Sequence, residues 1–226
     1  MIPNAWHFSF HRWVSCLRWY GLVMWQRCSH LNAALSFNED NMDYEEIKRQ
    51  GIAGFVEDEE QTRPDRIVRF VELNELFSPQ GDMLLTGGLQ SRLAFHELAN
   101  SYVNGNYMAV VLLCQAFIEH SLSGEFIMRG QNTIAESSFK KILESAKGAE
   151  IISEALFEQL EVLRKIRNPY VHAKAGLKNG SLAKKMIDGR FESAEDLAKS
   201  DALKSLGILK SFVHQNVFMW TPQPEA

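Results

Sequence analysis

Cysteine is scarce. The chain of 226 residues holds three, Cys16, Cys28 and Cys114. They are an odd number and lack the paired spacing of a zinc site, which argues against both a metal knuckle and a disulfide framework. Such sparing use agrees with a reducing, cytoplasmic setting. A basic excess is also missing. The formal net charge is −4, so nucleic acid is not drawn to the molecule as a whole and would need a local patch. Long apolar runs are absent too. The stretch from Met108 to Cys114 and on through Ala116, Phe117 and Ile118 is interrupted by Gln115. It is too short to span a bilayer and reads as a buried helix, so no membrane partner is expected. No alternating pattern is long enough for a convincing strand.

What is present is ordinary for a globular protein: 46% hydrophobic and 23% charged residues, enough for one domain with appendages. The first 38 residues stand apart. They contain no Asp, Glu or Lys, yet hold Trp6, Trp13, Trp19 and Trp25, with Arg12, Arg18 and Arg27 as the only cationic side chains besides histidine. The tryptophan spacings make no single helical stripe. Three readings stay open for this segment: a start codon placed too early, with Met42 as the true start; a docking tail; or a transit peptide. Residues 39–60 are acidic and read as a solvated helix or linker, with a regulatory acidic tail as the alternative. A short helix is expected over 65–77, then a loop through Pro79, Gly81, Gly87 and Gly88. The expected organisation is an extension over 1–41, an acidic segment with a short helix and loop over 42–88, and a helical domain over 89–220.

Helical signals dominate from Leu89. Leu89, Leu93, Leu98 and Tyr102 are read as one flank of a helix that Asn104-Gly105 ends in a left-handed turn. Asn106 is placed to cap a second helix, apolar nearly all round from Tyr107 to Ile118 and therefore central. The tight turn implies an antiparallel pair. A third helix is expected over 138–146. A fourth starts from Ser153, with Leu156, Leu160, Leu163 and Ile166 inward and Glu158, Glu161, Arg164 and Lys165 outward. A loop follows at Gly176, Asn179 and Gly180. A last helix starts near Ser193, with Asp196 reaching back to it, and carries Leu206, Leu209, Val213 and Val217. The expected fold is all-α: an up-and-down helical bundle of four to five helices with the long second helix at the centre.

Chemistry concentrates at the end of the fourth helix, in Arg164-Lys165-Ile166-Arg167-Asn168-Pro169-Tyr170-Val171-His172. Cations suit the negative end of a helix dipole. Asn168-Pro169 predicts a kink or a restart there, which would bring Arg167 and His172 toward one pocket and aim free N–H groups at an anion. His172 is suited to exchange protons near neutral pH. Arg167 is suited to stabilise charge on a phosphorane. No carboxylate cluster stands beside them, so neither metal nor cofactor is expected. On spacing alone, dipole capping, chain punctuation and a structural histidine account for the same residues. Elsewhere, His7 and His11 have helical metal-ligand spacing but no partner, and His96 and His214 read as helix-face residues. From Lys140 to Arg190 there are eleven Lys or Arg against six Asp or Glu. Lys165, Lys174 and Lys178 are the candidate RNA contacts in that stretch.

The segment Arg167-Asn168-x-x-x-His172 resembles the Arg-polar-x-x-x-His signature of the HEPN superfamily (higher eukaryotes and prokaryotes nucleotide-binding). The hairpin from Leu98 through Asn104-Gly105-Asn106-Tyr107 to Glu119-His120 adds to the likeness, which covers roughly residues 89–217. The resemblance implies a metal-independent endoribonuclease, in a toxin or antiviral-defence setting, with two copies of the motif meeting across a homodimer. It implies catalytic Arg167 and His172, a positioning role for Asn168, and a polar contribution from Glu119 on the second helix. An antitoxin is the implied protein partner. Toxins of this family that are silenced by adenylylation carry Tyr two residues after the His. Here Lys174 stands there, which speaks against that regulation. The alternatives are a non-catalytic bundle that binds nucleotide, nucleic acid or protein, and a purely structural dimerisation module.

Overall fold

The computed structural model describes residues 44–77, 81–83, 87–174, 176–215 and 220–222. The tryptophan-rich segment, His7, His11 and Val217 lie outside the described residues. The chain divides between Arg63 and Pro64 into two compact units. The fold is all-α, with eight helices among the described residues. A minimal antiparallel ribbon pairs β1 (Gly81–Met83) with β2 (Trp220–Pro222).

The acidic segment from Tyr44 onward and the expected short helix are one element, α1 (Tyr44–Leu76), with Pro64 inside it. Glu45 and Glu46 sit in its first turn, where they favour the helix dipole. Close pairs along the chain reinforce the helix: Lys48–Glu45, Arg49–Glu46 and Arg63–Glu59. In the first unit, Ile47, Ile52, Phe55 and Val56 are all exposed.

The second unit holds the core. Helix α2 (Gly88–Val103) and helix α3 (Tyr107–Met128) make the most extensive packing in it. They join through Asn104-Gly105-Asn106, with Gly105 at φ +77°, a left-handed conformation that glycine adopts without strain. The pair is antiparallel. Ser91, early in α2, lies 3.4 Å from Ser121, late in α3. Gly87, just before α2, abuts α3 so closely that a Cβ there would stand 2.5 Å from the His120 carbonyl oxygen. Asn106 occupies the N-cap position of α3, but its side chain makes no capping bond.

The buried face of α2 is Ser91, Ala94, Leu98 and Tyr102. Leu98 and Tyr102 are therefore inward as expected, but Leu89 and Leu93 are 67% and 52% exposed. The cause is helix geometry: nine residues at 100° each leave Leu89 about 180° from Leu98. Helix α3 extends beyond the expected stretch and buries eleven residues, from Tyr107 to Phe126. By length and composition it could cross a membrane, and among the described residues it is the one helix that could.

After α3 come a single turn, α4 (Asn132–Ala135), and then α5 (Phe139–Gly148), α6 (Glu154–Val171), α7 (Leu182–Asp188) and α8 (Ala194–Gln215). The Ser153 hydroxyl caps α6 by accepting from the Leu156 N–H at 3.2 Å. At α8 the Ser193 hydroxyl accepts from the Asp196 N–H at 3.0 Å and donates to the Asp196 carboxylate at 2.6 Å. Helices α6 and α8 run antiparallel, because Ser153 at the start of α6 meets Gln215 at the end of α8. Aromatic edges cross the core from Phe77 to Phe95, Phe117 and Phe212, with centroids 5.4 to 6.3 Å apart. Cys114 is fully buried, and burial pushes its thiol pKa up, so it is a core residue.

Candidate functional site

Helix α6 buries Leu156, Leu160, Leu163 and Ile166, a stripe that turns its cations away from the core. Arg164 is already spent. Its guanidinium donates to both oxygens of Glu161, at 2.9 and 2.8 Å. Those hydrogen bonds hold the Glu161 carboxyl below its usual range and raise Arg164. One turn on, Arg167 is half-buried, as is Asn168, whereas His172 is exposed. Neither Arg167 nor His172 has a side-chain hydrogen bond or ion pair among the described residues.

The helix does not restart at Asn168-Pro169. It continues to Val171, and the His172 N–H donates to the Asn168 carbonyl at 3.0 Å. The expected array of free N–H groups at a new helix start is therefore absent. Pro169 removes one bond, to the Lys165 carbonyl, but within the last turn a single loss is tolerable. His172 then leaves the helix with φ −110° and ψ 107°. Its ring is no longer bound to the helical wheel that would set it about 140° from Arg167.

A polar clamp fixes this helix end. The Tyr170 hydroxyl donates to the Asp201 carboxylate on α8 at 2.9 Å. Lys185 on α7 donates to both Asp201 oxygens at 2.7 and 2.6 Å. Asp201 is 1% exposed. Burial, then the bond to Asp201 and its charge, push the Tyr170 phenol well above its ordinary pKa. Sequence reasoning missed this cluster. Its signal was Asp201 itself, a carboxylate on the apolar stripe of α8 between Leu197 and Ser205, which burial allows only with a partner.

The structure joins Arg167, Asn168 and His172 at one helix end. The Glu119 carboxylate accepts from Gln115 of its own helix at 3.3 Å. The Gln115 carbonyl oxygen is buried without a partner among the described residues. Lys165, Lys174 and Lys178 are exposed. The Lys174 ammonium reaches back to the Asn179 carbonyl at 3.2 Å, across a loop in which Gly176 and Gly180 have positive φ. Lys184 and Lys185 are held by Asp188 and Asp201. No group of three His, Cys, Asp or Glu that could hold a metal occurs among the described residues. A separate recess of about 490 Å³, lined by Asn106, Met108, Leu112, Glu195 and Ala198 among others, includes no motif residue. No family model, curated protein or solved structure matches this chain.

Proposed function

We propose that the protein is a metal-independent endoribonuclease of the HEPN type, acting as a toxin or defence effector. The observation that carries the reading is the uncommitted pair at the end of α6. Arg164 is neutralised by Glu161, while Arg167 and His172 keep their hydrogen-bonding groups for a ligand. In the reaction, His172 takes the proton of a ribose 2′-hydroxyl as that oxygen attacks phosphorus. The P–O5′ bond breaks, O5′ leaves with a proton, and a 2′,3′-cyclic phosphate remains. Arg167 stabilises the charge that builds on the non-bridging oxygens. Asn168 holds the backbone of His172 through its carbonyl. In a homodimer a second motif supplies the proton to the leaving oxygen. The up-and-down bundle with α3 at its centre belongs to this reading, and the antiparallel pairs α2/α3 and α6/α8 support it.

The test is incubation of the purified protein with total RNA in EDTA, beside Arg167→Ala and His172→Ala. Wild type is expected to leave 2′,3′-cyclic ends, and each variant to be slower by roughly 10²–10⁴-fold. Cleavage by His172→Ala at the wild-type rate would sink the reading. RNA bound but uncut would favour a non-catalytic binding module, and neither binding nor cutting a structural one.

A further inference from the structure

From Glu45 to Arg63, α1 is exposed on nearly every side; Glu46, Gly54 and Thr62 alone are half-buried. Ile52 is 57% exposed and Phe55 71%. Two glycines, Gly51 and Gly54, weaken the intrinsic helical preference of this stretch. A helix of this composition is marginal in water unless an apolar face is covered.

One face is suited to be covered. At 100° per residue, Glu45, Lys48, Arg49, Ile52, Phe55, Val56, Glu59, Glu60 and Arg63 fall within about 140° of one another. Their order is self-complementary. When the segment is turned end for end about a two-fold axis level with Gly54, Ile52 comes level with Val56. Arg49 then comes level with Glu59, Lys48 with Glu60 and Glu45 with Arg63. Every charge meets its opposite, and the apolar residues meet at the centre. A parallel pair would instead set Glu59 against Glu59 and Arg49 against Arg49, which is repulsive. Within one chain, Lys48 pairs with Glu45 at 3.7 Å and Arg63 with Glu59 at 3.8 Å along the helix, exposed pairs that are easily exchanged for others.

We infer that residues 45–63 of α1 form a homodimerisation surface on which a second copy of this chain lies antiparallel. The contact is isologous, as two-fold symmetry requires. Ile52, Phe55 and Val56 supply its apolar centre, and the flanking charges select the orientation. The surface shares no residue with the Arg167–His172 site, so its test is independent of RNA cleavage.

The experiment is sedimentation of the full chain as wild type, as Glu59→Lys/Glu60→Lys and as Lys48→Glu/Arg49→Glu. Wild type is expected at twice the mass of either variant. An equimolar mixture of the two variants is expected to regain the wild-type mass, because each variant's altered charges complement the other's. A variant that had merely lost its helix for another reason would not be rescued in this way. Equal masses for wild type and both variants would show that the chain's own residues or another protein cover this face, and would overturn the inference. Failure of the mixture to recover would overturn it as well.

Discussion

Asp201 sets the terms at the scale of single residues. With a 1% exposed carboxylate bonded to Lys185 and Tyr170, the end of α6 is tied to both α7 and α8. Removing the phenol hydroxyl alone leaves Lys185 in place, so Tyr170→Phe is expected to cost about 1 kcal/mol. The same substitution should alter the response to alkali. The folded Tyr170 pKa lies above the ordinary value of about 10. Below that pH both states keep the proton and the contribution is intact. Above it the unfolded chain ionises first, and stability is lost as pH rises. Tyr102, hydrogen-bonded to Glu72, adds to the loss with the same sign. Urea unfolding at pH 8 and pH 11 should therefore show a smaller alkaline loss in Tyr170→Phe than in wild type. An identical loss would mean that the clamp is not formed. Arg167 and His172 could be singled out from type and spacing. The clamp could not, because Asp201 lies far from them in the chain and only packing brings it to Tyr170.

At the scale of elements, local chemistry was legible wherever it was decisive. Ser153 and Ser193 cap helices where their side chains and spacing said they should, and Asn104-Gly105 ends α2. Gly105→Ala tests the last of these. A side chain at φ +77° is strained by roughly 1–2 kcal/mol. Thermal unfolding should then move down by about 2–8 °C, whereas Gly148→Ala, near the end of α5 with nothing within 4 Å of its Cβ, should not lower it. Equal shifts would contradict the left-handed turn. The misreadings have separate physical reasons. Leu89 and Leu93 drew the flank of α2 by their apolarity, although rotation places them opposite Leu98. Asn168-Pro169 was taken as a kink or restart, but α6 accepts the loss of one hydrogen bond. Helices α4 and α7, of four and seven residues, are too short to show periodicity.

Across the whole molecule, charge is uneven in a way the net value hides. The stretch that carries the motif is basic within an acidic chain, yet its lysines are not equivalent. Lys184 and Lys185 are engaged with Asp188 and Asp201, while Lys165 and Lys178 stand free in solvent. Binding of single-stranded RNA, measured with the His172→Ala protein, should weaken as salt rises. Replacing Lys165 or Lys178 with Ala should flatten that dependence by about 0.7 in log–log slope for each contact removed. Lys184→Ala should leave it unchanged, and equal slopes for all three would rule out this patch. The pairing of Arg164 with Glu161 has one more consequence. Two guanidinium forks one turn apart would grip any polyanion indiscriminately. On the proposed ribonuclease reading, with one of them muzzled, a sugar–phosphate strand would be seized at a single point and could slide until a particular linkage lies beside the imidazole.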